Sequence, residues 1–408
     1  MKKVIVLKFG GSSVASVRKI KNAARRIITF KNRGFKPVVV VSAAGNSTDD
    51  LTKEALKLSK NPHAREMDML LSTGEQKTIS LLAIALSAMK QKVISFTGHQ
   101  IGIITDGNFS NARIKTISAK RLTGALKNNF TVIVAGFQGQ TAGGEITTLG
   151  RGGSDLTAIA LAAVLKAGCK IFTDVEGIFT ANPEIYKNAK KIDIISYDEM
   201  LEMAGAGAGV MQARAVELAK NRNVAFEVAS SFATARGTLI CGEEQLLEKL
   251  VVRSITEDKN QTKVSIVGVP DRPGIAAEIF KQIAEKDICV DMIIQSAAQP
   301  LFRGHRPVND ISFTVKKKDT VRVKKILEKI GEKLCAKRIL IKENVAKISI
   351  IGSGMKTHSG VAARMFGALA KNKINIEMIA TSEIKISCVI ECPAIRKAVK
   401  ALVKEFKL

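Results

Sequence analysis

Residues 37–41 read Pro-Val-Val-Val-Val, a run with no polar face to turn toward water. A strand of that kind is buried on both sides, which a parallel sheet covered by helices provides and a half-wet antiparallel sheet does not. Similar runs recur at VIVLKF (4–9), PVVVVSA (37–43), VISFTG (93–98), TVIVAGF (131–137), KIFTDV (170–175) and AFEVAS (225–230). Helical stretches such as Ser16 to Lys31 and Asp155 to Lys166 lie between them. The first part of the chain, 1–245, therefore predicts an α/β domain with a mostly parallel sheet sandwiched between helices. In such sheets ligands gather at the carboxyl ends of the strands.

The remainder, 251–408, contains an internal repeat. TKVSIVGVPDRPGIAAEIFKQIAEKDICVDMI aligns with AKISIIGSGMKTHSGVAARMFGALAKNKINIEMI, Ser265 standing against Ser349 at an offset of 84 and Gly274 against Gly360 at 86. Each copy reads strand, turn, helix, strand, strand, helix. The first copy, 264–342, closes on the strand RILIKEN (338–344), whereas the second, 346–408, ends on the helix Ala394 to Phe406. The stretch 251–257 precedes the first copy, and it is expected to return and complete the second, so that the two βαββαβ units are intertwined.

Three loops carry the candidate chemistry. In Lys8-Phe9-Gly10-Gly11-Ser12-Ser13 the glycines let backbone amides approach an anion, and Lys8 adds a point charge at the end of the first strand. A tight turn with a lysine reaching out to water explains the same residues. The second loop, TTLGRGGSDLTAIALAAVLKA (147–167), puts Arg151, Gly152, Gly153, Ser154 and Asp155 at a helix start. Ser154 or Asp155 would serve as a helix cap, but capping leaves Arg151 unexplained, whereas a carboxylate clamped by guanidinium and loop amides accounts for all of them. The third, IFTDVEGIFTANP (171–183), leaves a late strand on the same sheet edge, as a nucleotide-binding loop or a plain connection.

Other classes are disfavoured. The formal charge of +27 would attract a polyanion, but the basic residues are spread along the chain, aromatics are 4%, and no nucleic-acid-binding signature is present. The six cysteines (169, 241, 289, 335, 388, 392) form no C-x-x-C pair and the histidines (63, 99, 305, 358) are scattered, so packed, reduced thiols and no metal site are expected. The apolar runs fall short of the roughly 18 residues a membrane helix needs, and Lys8 interrupts the run after Met1-Lys2-Lys3, so a cytoplasmic protein without a secretory segment is expected.

The stretches VLKFGGSSVA, VVVVSAAGNSTDDL, MLLSTGEQKT, SFTGHQIGIIT, NARI, VIVAGFQG, TTLGRGGSDLTAIALAA and FTDVEGIFTANP, in that order, resemble the aspartate kinases. The repeat resembles their paired ACT domains through DRPGIAA, VDMIIQ, GSGMKTHSGVAA and INIEMIATSEIKIS. The resemblance implies an amino acid kinase fold followed by two ferredoxin-like ACT units. It implies transfer of the γ-phosphoryl of ATP to the side-chain carboxylate of L-aspartate, the first step toward lysine, threonine and methionine, with diaminopimelate on the lysine route.

Carried over by matching positions, Lys8 would stabilise the moving phosphoryl group and Gly10, Gly11 and Ser12 would bind phosphate oxygens. Asp155 would hold Lys8 in place. Ser42, Thr48 and Glu75 would line the aspartate site, Glu75 taking the ammonium, while Arg151 grips a substrate carboxylate and Ser154 touches substrate. Thr173, Asp174 and Phe179 would lie along the nucleotide, and Mg²⁺ would arrive with ATP. The resemblance further implies lysine or threonine, or both, as feedback effectors between ACT units, with Asp271, Pro273, Gly274, Ala276, Gln295, Val361, Asn375 and Ile376 as candidates, and dimers or larger homo-oligomers through the ACT sheets.

The chain departs from the family at several points. Ala181-Asn182-Pro183-Glu184 replaces T-x-D-P-R after Thr180, so Asn182 and Glu184 are not carried over; Gly209 stands for a frequent lysine, Phe179 for a tyrosine, and Ser296 for an asparagine. The rival readings are another amino acid kinase, acting on glutamate or a nucleotide, and an ACT protein that has lost its chemistry. The paired repeat with Thr48, Glu75 and Arg151 weighs against the first, and the presence of Lys8, Arg151 and Asp155 against the second.

Overall fold

The structure, a computed structural model, describes residues 3–246, 250–296, 307–333 and 336–408; His305 and Cys335 lie outside the described residues. The chain divides into two compact units: Met1–Phe179 with Lys191–Ala204 and Gly209–Glu248, and Thr180–Lys190 with Gly205–Ala208 and Lys249–Leu408.

The first unit is organised by an eight-stranded sheet. Its strands are β1 (Val4–Phe9), β2 (Lys36–Val41), β3 (Val93–Phe96), β4 (Thr131–Ala135), β5 (Gly168–Thr173), β6 (Ile194–Ser196), β7 (Phe226–Ser230) and β8 (Thr238–Cys241). They lie in the order β6-β8-β7-β5-β1-β2-β4-β3, parallel throughout except where β7 meets β8. Val38 to Val41 are fully buried, as expected of a strand covered on both faces. Val39 and Val41 join Leu7, Phe9, Ile133 and Phe172 in a core closed by helices α1 (Val17–Asn32) and α2 (Ala64–Ala88), which contribute Ile20, Ala24, Ile27, Ile79, Leu82 and Leu86. Alternate residues of the same strands face the other way. Helix α3 (Gly153–Leu165), which buries Leu156 to Ala162, packs against β1, β2 and β5. A four-stranded sheet of short strands, Ile103–Thr105, Ile114–Ile117, Gln138–Gln140 and Ile146–Thr148, was not expected from the sequence.

The second unit holds a six-stranded sheet of β9 (Ser254–Pro270), β10 (Val290–Gln295), β11 (Val308–Lys316), β12 (Arg338–Ile351), β13 (Met378–Thr381) and β14 (Lys385–Glu391), ordered β10-β11-β9-β12-β14-β13. The two repeats are intertwined through its centre. Ser254–Asp258 pairs with Lys347–Ile351, and Lys263–Val267 pairs with Arg338–Lys342, with register shifts between. What reads as four strands is thus two long ones, each serving both repeats in succession.

The repeat is also visible in the side chains. Ser265 hydrogen-bonds Ser312 and Ser349 hydrogen-bonds Ser387, both at 2.7 Å. Lys263 pairs with Glu377 at 3.1 Å, and its counterpart Lys347 pairs with Asp291, the counterpart of Glu377. Each copy therefore lends a lysine to the other copy's acid. The two bonds are unequal: Lys347 is 1% exposed while Lys263 is 20% exposed, and Glu377 also holds Lys342. Asp291 itself is more than a third exposed, so the difference lies in what its removal leaves behind, a lysine almost wholly buried without its counter-charge. Asp291→Ala is accordingly expected to lower the denaturant midpoint of the full chain more than Glu377→Ala does, and an equal or smaller shift would contradict this account.

Thr180–Lys190, which departs from the family pattern, belongs to this second unit. Ala181 and Ile185 enter the core of the second repeat, the Ile255 amide donates to the Thr180 carbonyl at 2.8 Å, and Asn182 Nδ2 donates to Glu257 Oε1 at 2.8 Å. Burial raises the Glu257 carboxyl above its ordinary pKa, with the Asn182 bond acting in the opposite direction. An aspartate at 182 would oppose carboxylate to carboxylate, whereas the amide supplies a donor.

Candidate active site

Lys8 reaches the sheet's edge because β1 is held in the middle of the sheet between β5 and β2. The next residue, Phe9, stacks on Phe172 of β5 with ring centroids 4.8 Å apart. The chain then turns: the Gly10 amide donates to the Phe172 carbonyl at 3.1 Å. A Cβ on Gly11 would stand 2.7 Å from the Ala43 carbonyl oxygen, so this approach of two backbones requires glycine.

Helix α3 begins beyond Gly152, whose φ of +74° is a left-handed conformation that glycine adopts freely. Ser154 and Asp155 lie inside the first turn, not at the N-cap, and no side chain caps this helix. The capping explanation is thereby set aside. An acid in the first turn suits the helix dipole, and the carboxylate extends to Lys8, with Asp155 Oδ1 2.6 Å from Nζ and both side chains almost entirely buried.

These elements surround a cleft of about 450 Å³. Lys8, Ser42, Thr48, Glu75, Arg151 and Ser154, drawn from distant parts of the chain, share its wall. Arg151 is exposed, and among the described residues it has no acidic partner. Glu75 is 2% exposed; its Oε1 accepts the Ala43 amide at 2.9 Å, and its buried Oε2 has no hydrogen-bond partner among the described residues. Burial pushes this carboxyl up to about 7, only partly opposed by the Ala43 hydrogen bond. The cleft thus offers the Arg151 guanidinium, Lys8 with its Asp155 partner, the Asp49 carboxylate and a buried Glu75 carboxyl with one unpartnered oxygen, groups of both signs that suit a small molecule bearing carboxylates and an ammonium.

The remaining candidates of this unit are not in that wall. Gly10, Gly11 and Ser12 form the turn after β1, and Thr173 and Asp174 leave the end of the adjacent β5, with Thr173 Oγ1 donating to Asp174 Oδ1 at 3.0 Å. Phe179 lies in the short strand Ile178–Phe179, paired with Lys191–Ile192. In the second unit, Asp271, Pro273, Gly274 and Ala276 sit at the start of helix Ile275–Ala284 and Gln295 at the end of β10, all on the first repeat. Val361, Asn375 and Ile376 belong to the second repeat. Asp271 Oδ1 accepts from Asn309 Nδ2 at 2.8 Å, and the Val361 side chain is in the core, so its backbone is what it offers to a ligand.

Two residues that sequence reasoning missed govern the cleft's wall. Asp68, fully buried on α2, accepts hydrogen bonds from the amides of Ser110 and Thr148 and from the Thr148 hydroxyl. Arg214, on helix α4 (Ala213–Asn221), donates to the carbonyls of Leu149 and Ala112 and to the Asn111 side chain. Asp68 stands seven residues before Glu75, on the same helical face, which is a usable signal. Arg214 acts on backbone carbonyls and leaves none.

The profile of the amino acid kinase family matches residues 3–230, and that of the ACT domain matches 264–330 and 348–406. Aspartokinase 2 of Bacillus subtilis (strain 168) is 48% identical over 406 residues, covering 99% of this chain and 98% of that protein. The crystal structure of E. coli aspartokinase III in complex with aspartate and ADP, in the R-state, matches with a TM-score of 0.83 at 25% identity over 100% of both chains. That enzyme in complex with lysine and aspartate, in the T-state, matches at 0.78 and 25% identity over 99% of each chain.

Proposed function

The chain belongs to the amino acid kinase family and, within it, to the aspartokinases, and from that membership we propose how its own residues carry the reaction. The enzyme phosphorylates L-aspartate on its side-chain carboxylate, converting ATP to ADP and giving 4-phospho-L-aspartate, and is regulated by feedback through its ACT domains. The observation that carries the assignment of residues is the buried Lys8–Asp155 pair in one cleft with Arg151 and the unpartnered Glu75 Oε2.

A carboxylate is already nucleophilic at neutral pH, so the site needs no general base. One aspartate carboxylate oxygen forms a bond to the γ-phosphorus while the bond to the bridging oxygen breaks, and the electron pair leaves with ADP. The difficulty lies in bringing two anions together and stabilising charge on the transferred group. Lys8 meets that charge, held in position by Asp155; the amides of Gly10 and Gly11, with Ser12, receive phosphate oxygens. Arg151 grips a substrate carboxylate, Glu75 Oε2 takes the ammonium, and Ser42, Thr48 and Ser154 complete the pocket. Thr173, Asp174 and Phe179 lie along the nucleotide, and Mg²⁺ would arrive with ATP and supply positive charge against its phosphates.

We also propose lysine, threonine or both as effectors at the two groups of residues around Gly274 and Val361, and the pathway to lysine, threonine and methionine as the destination of the product. A homodimer or larger homo-oligomer through the second unit is supported by the outward Ile293 and Ile379, which occupy equivalent places on edge strands β10 and β13. A cytoplasmic setting fits ATP supply and the buried free thiols Cys169, Cys241 and Cys388; no helix of the described residues is long and apolar enough to cross a membrane.

The test is ADP release from MgATP with aspartate, glutamate or uridine monophosphate as acceptor, with and without lysine and threonine. Turnover is expected with aspartate alone among the acceptors, and absence of aspartate-dependent release overturns the reading. The same assay examines Glu75. Because the free enzyme's carboxyl titrates at about 7, the charge that attracts the ammonium is present above that pH and lost below it. Hence kcat/KM for aspartate should fall about tenfold per unit as pH drops below that point. Glu75→Gln should lower kcat/KM and flatten that limb; an unchanged limb in the variant assigns the titration elsewhere.

A further inference from the structure

Arg151 sits on a loop, and loops position charged groups loosely unless something fastens them. Here the fastening is complete. Thr148, three residues before Arg151, gives both its amide and its hydroxyl to the Asp68 carboxylate at 2.7 Å, and the Ser110 amide joins it at 2.9 Å. The Ala112 amide donates to the Thr148 carbonyl at 2.9 Å, so segments 110–112 and 148–149 are stitched to each other. Arg214 binds the same two segments by their other polarity, with Nη1 2.8 Å from the Leu149 carbonyl and Nη2 2.9 Å from that of Ala112. A carboxylate thus collects the N–H groups and a guanidinium the carbonyls of one double-stranded seam, and Arg151 projects from its end.

The chemistry of the pair is suited to this purpose. Asp68 is fully buried and among the described residues has no cationic partner; amide and hydroxyl donors satisfy it instead. Such a carboxylate orders the backbone that supplies its donors. Ser110 and Thr148 also face the cleft, so displacement of the seam moves the cleft wall together with Arg151. We propose that Asp68 and Arg214 are positioning residues that hold Arg151 at the distance aspartate requires. This rests on the reading of Arg151 as the group that grips a substrate carboxylate.

The experiment is a double-mutant cycle on the full-length enzyme, with KM for aspartate and for ATP measured in each variant. Asp68→Ala removes the acceptor of two amides and a hydroxyl; Arg214→Ala and Thr148→Val are the milder variants that keep the test available if Asp68→Ala does not fold. Each is expected to raise KM for aspartate about tenfold or more, since small displacements of a positioned group carry penalties of that order, with KM for ATP changed less than about twofold. In an Arg151→Ala background the same substitutions should change KM for aspartate less than about twofold, because nothing is left to position. Equal increases for both substrates, or effects that persist undiminished in that background, overturn the proposal. If Arg151→Ala leaves KM for aspartate unchanged, the reading of Arg151 falls, and this proposal falls with it.

Discussion

Lys8→Ala is expected to reduce kcat by about a thousandfold, the scale at which a single group aimed at transition-state charge acts. The lysine is almost entirely buried and fixed by Asp155 at 2.6 Å, so it requires little reorganisation when charge develops on the transferred phosphoryl. The same burial means that truncation also leaves Asp155 without its counter-charge, at a cost to stability of about 3 kcal/mol. The two effects separate in the double variant Lys8→Ala with Asp155→Ala. Removing both charges should restore much of the denaturant midpoint and none of the turnover. Recovery of turnover along with stability would show that Lys8 serves the fold and not the reaction.

Arg151→Ala is expected to raise KM for aspartate by about a hundredfold, within the loss of a few kcal/mol that follows removal of one partner from a charged, desolvated contact. In contrast to Lys8, the free protein should hardly notice, because Arg151 is exposed and lacks an acidic partner among the described residues. An unchanged unfolding midpoint with weakened aspartate binding is the expected combination. Arg151→Lys should recover only part of the loss, since an ammonium keeps the charge but not the fork that meets a carboxylate through two hydrogen bonds. Full recovery with lysine would reduce the role of Arg151 to that of a point charge.

Much of the architecture was legible because burial on both faces leaves a signature that survives without structure. Val38 to Val41 announced a covered strand, and each of the six apolar runs became a strand of the main sheet. The four-stranded sheet was missed since strands of three or four residues, such as Gln138–Gln140, are too short to display alternation. The fusion of strands in the second unit was hidden by the polar stretch Asp258 to Gln261, which looks like a turn; there the register shifts and β9 passes from one repeat to the other.

Within the cleft, Lys8 and Arg151 stood out by type and setting, each beside a glycine pair, whereas Glu75 came only through the resemblance. Of those that act on backbone, Asp68 left its helical spacing from Glu75 and Arg214 left nothing. Arg214 is one cation among 64 lysines and arginines, and nothing in its neighbours tells that it meets Leu149 and Ala112. Asn182 offered a different lesson: the group its amide serves, Glu257, is 75 residues away in sequence and adjacent in space.

The long strands of the second unit also set an order of events during synthesis. Ser254–Pro270 leaves the ribosome early, but half of it has its partner at Lys347–Ile351, and Lys263 waits for Glu377. The first repeat, by contrast, has every strand within 263–342 and closes when Arg338–Lys342 meets Lys263–Val267, so only the second depends on a segment made before its neighbour. Contacts so distant in sequence close late. The first repeat can therefore pair as it emerges, while Ser254–Asp258 stays without its strand partner across the whole of that repeat until Lys347–Ile351 has been made.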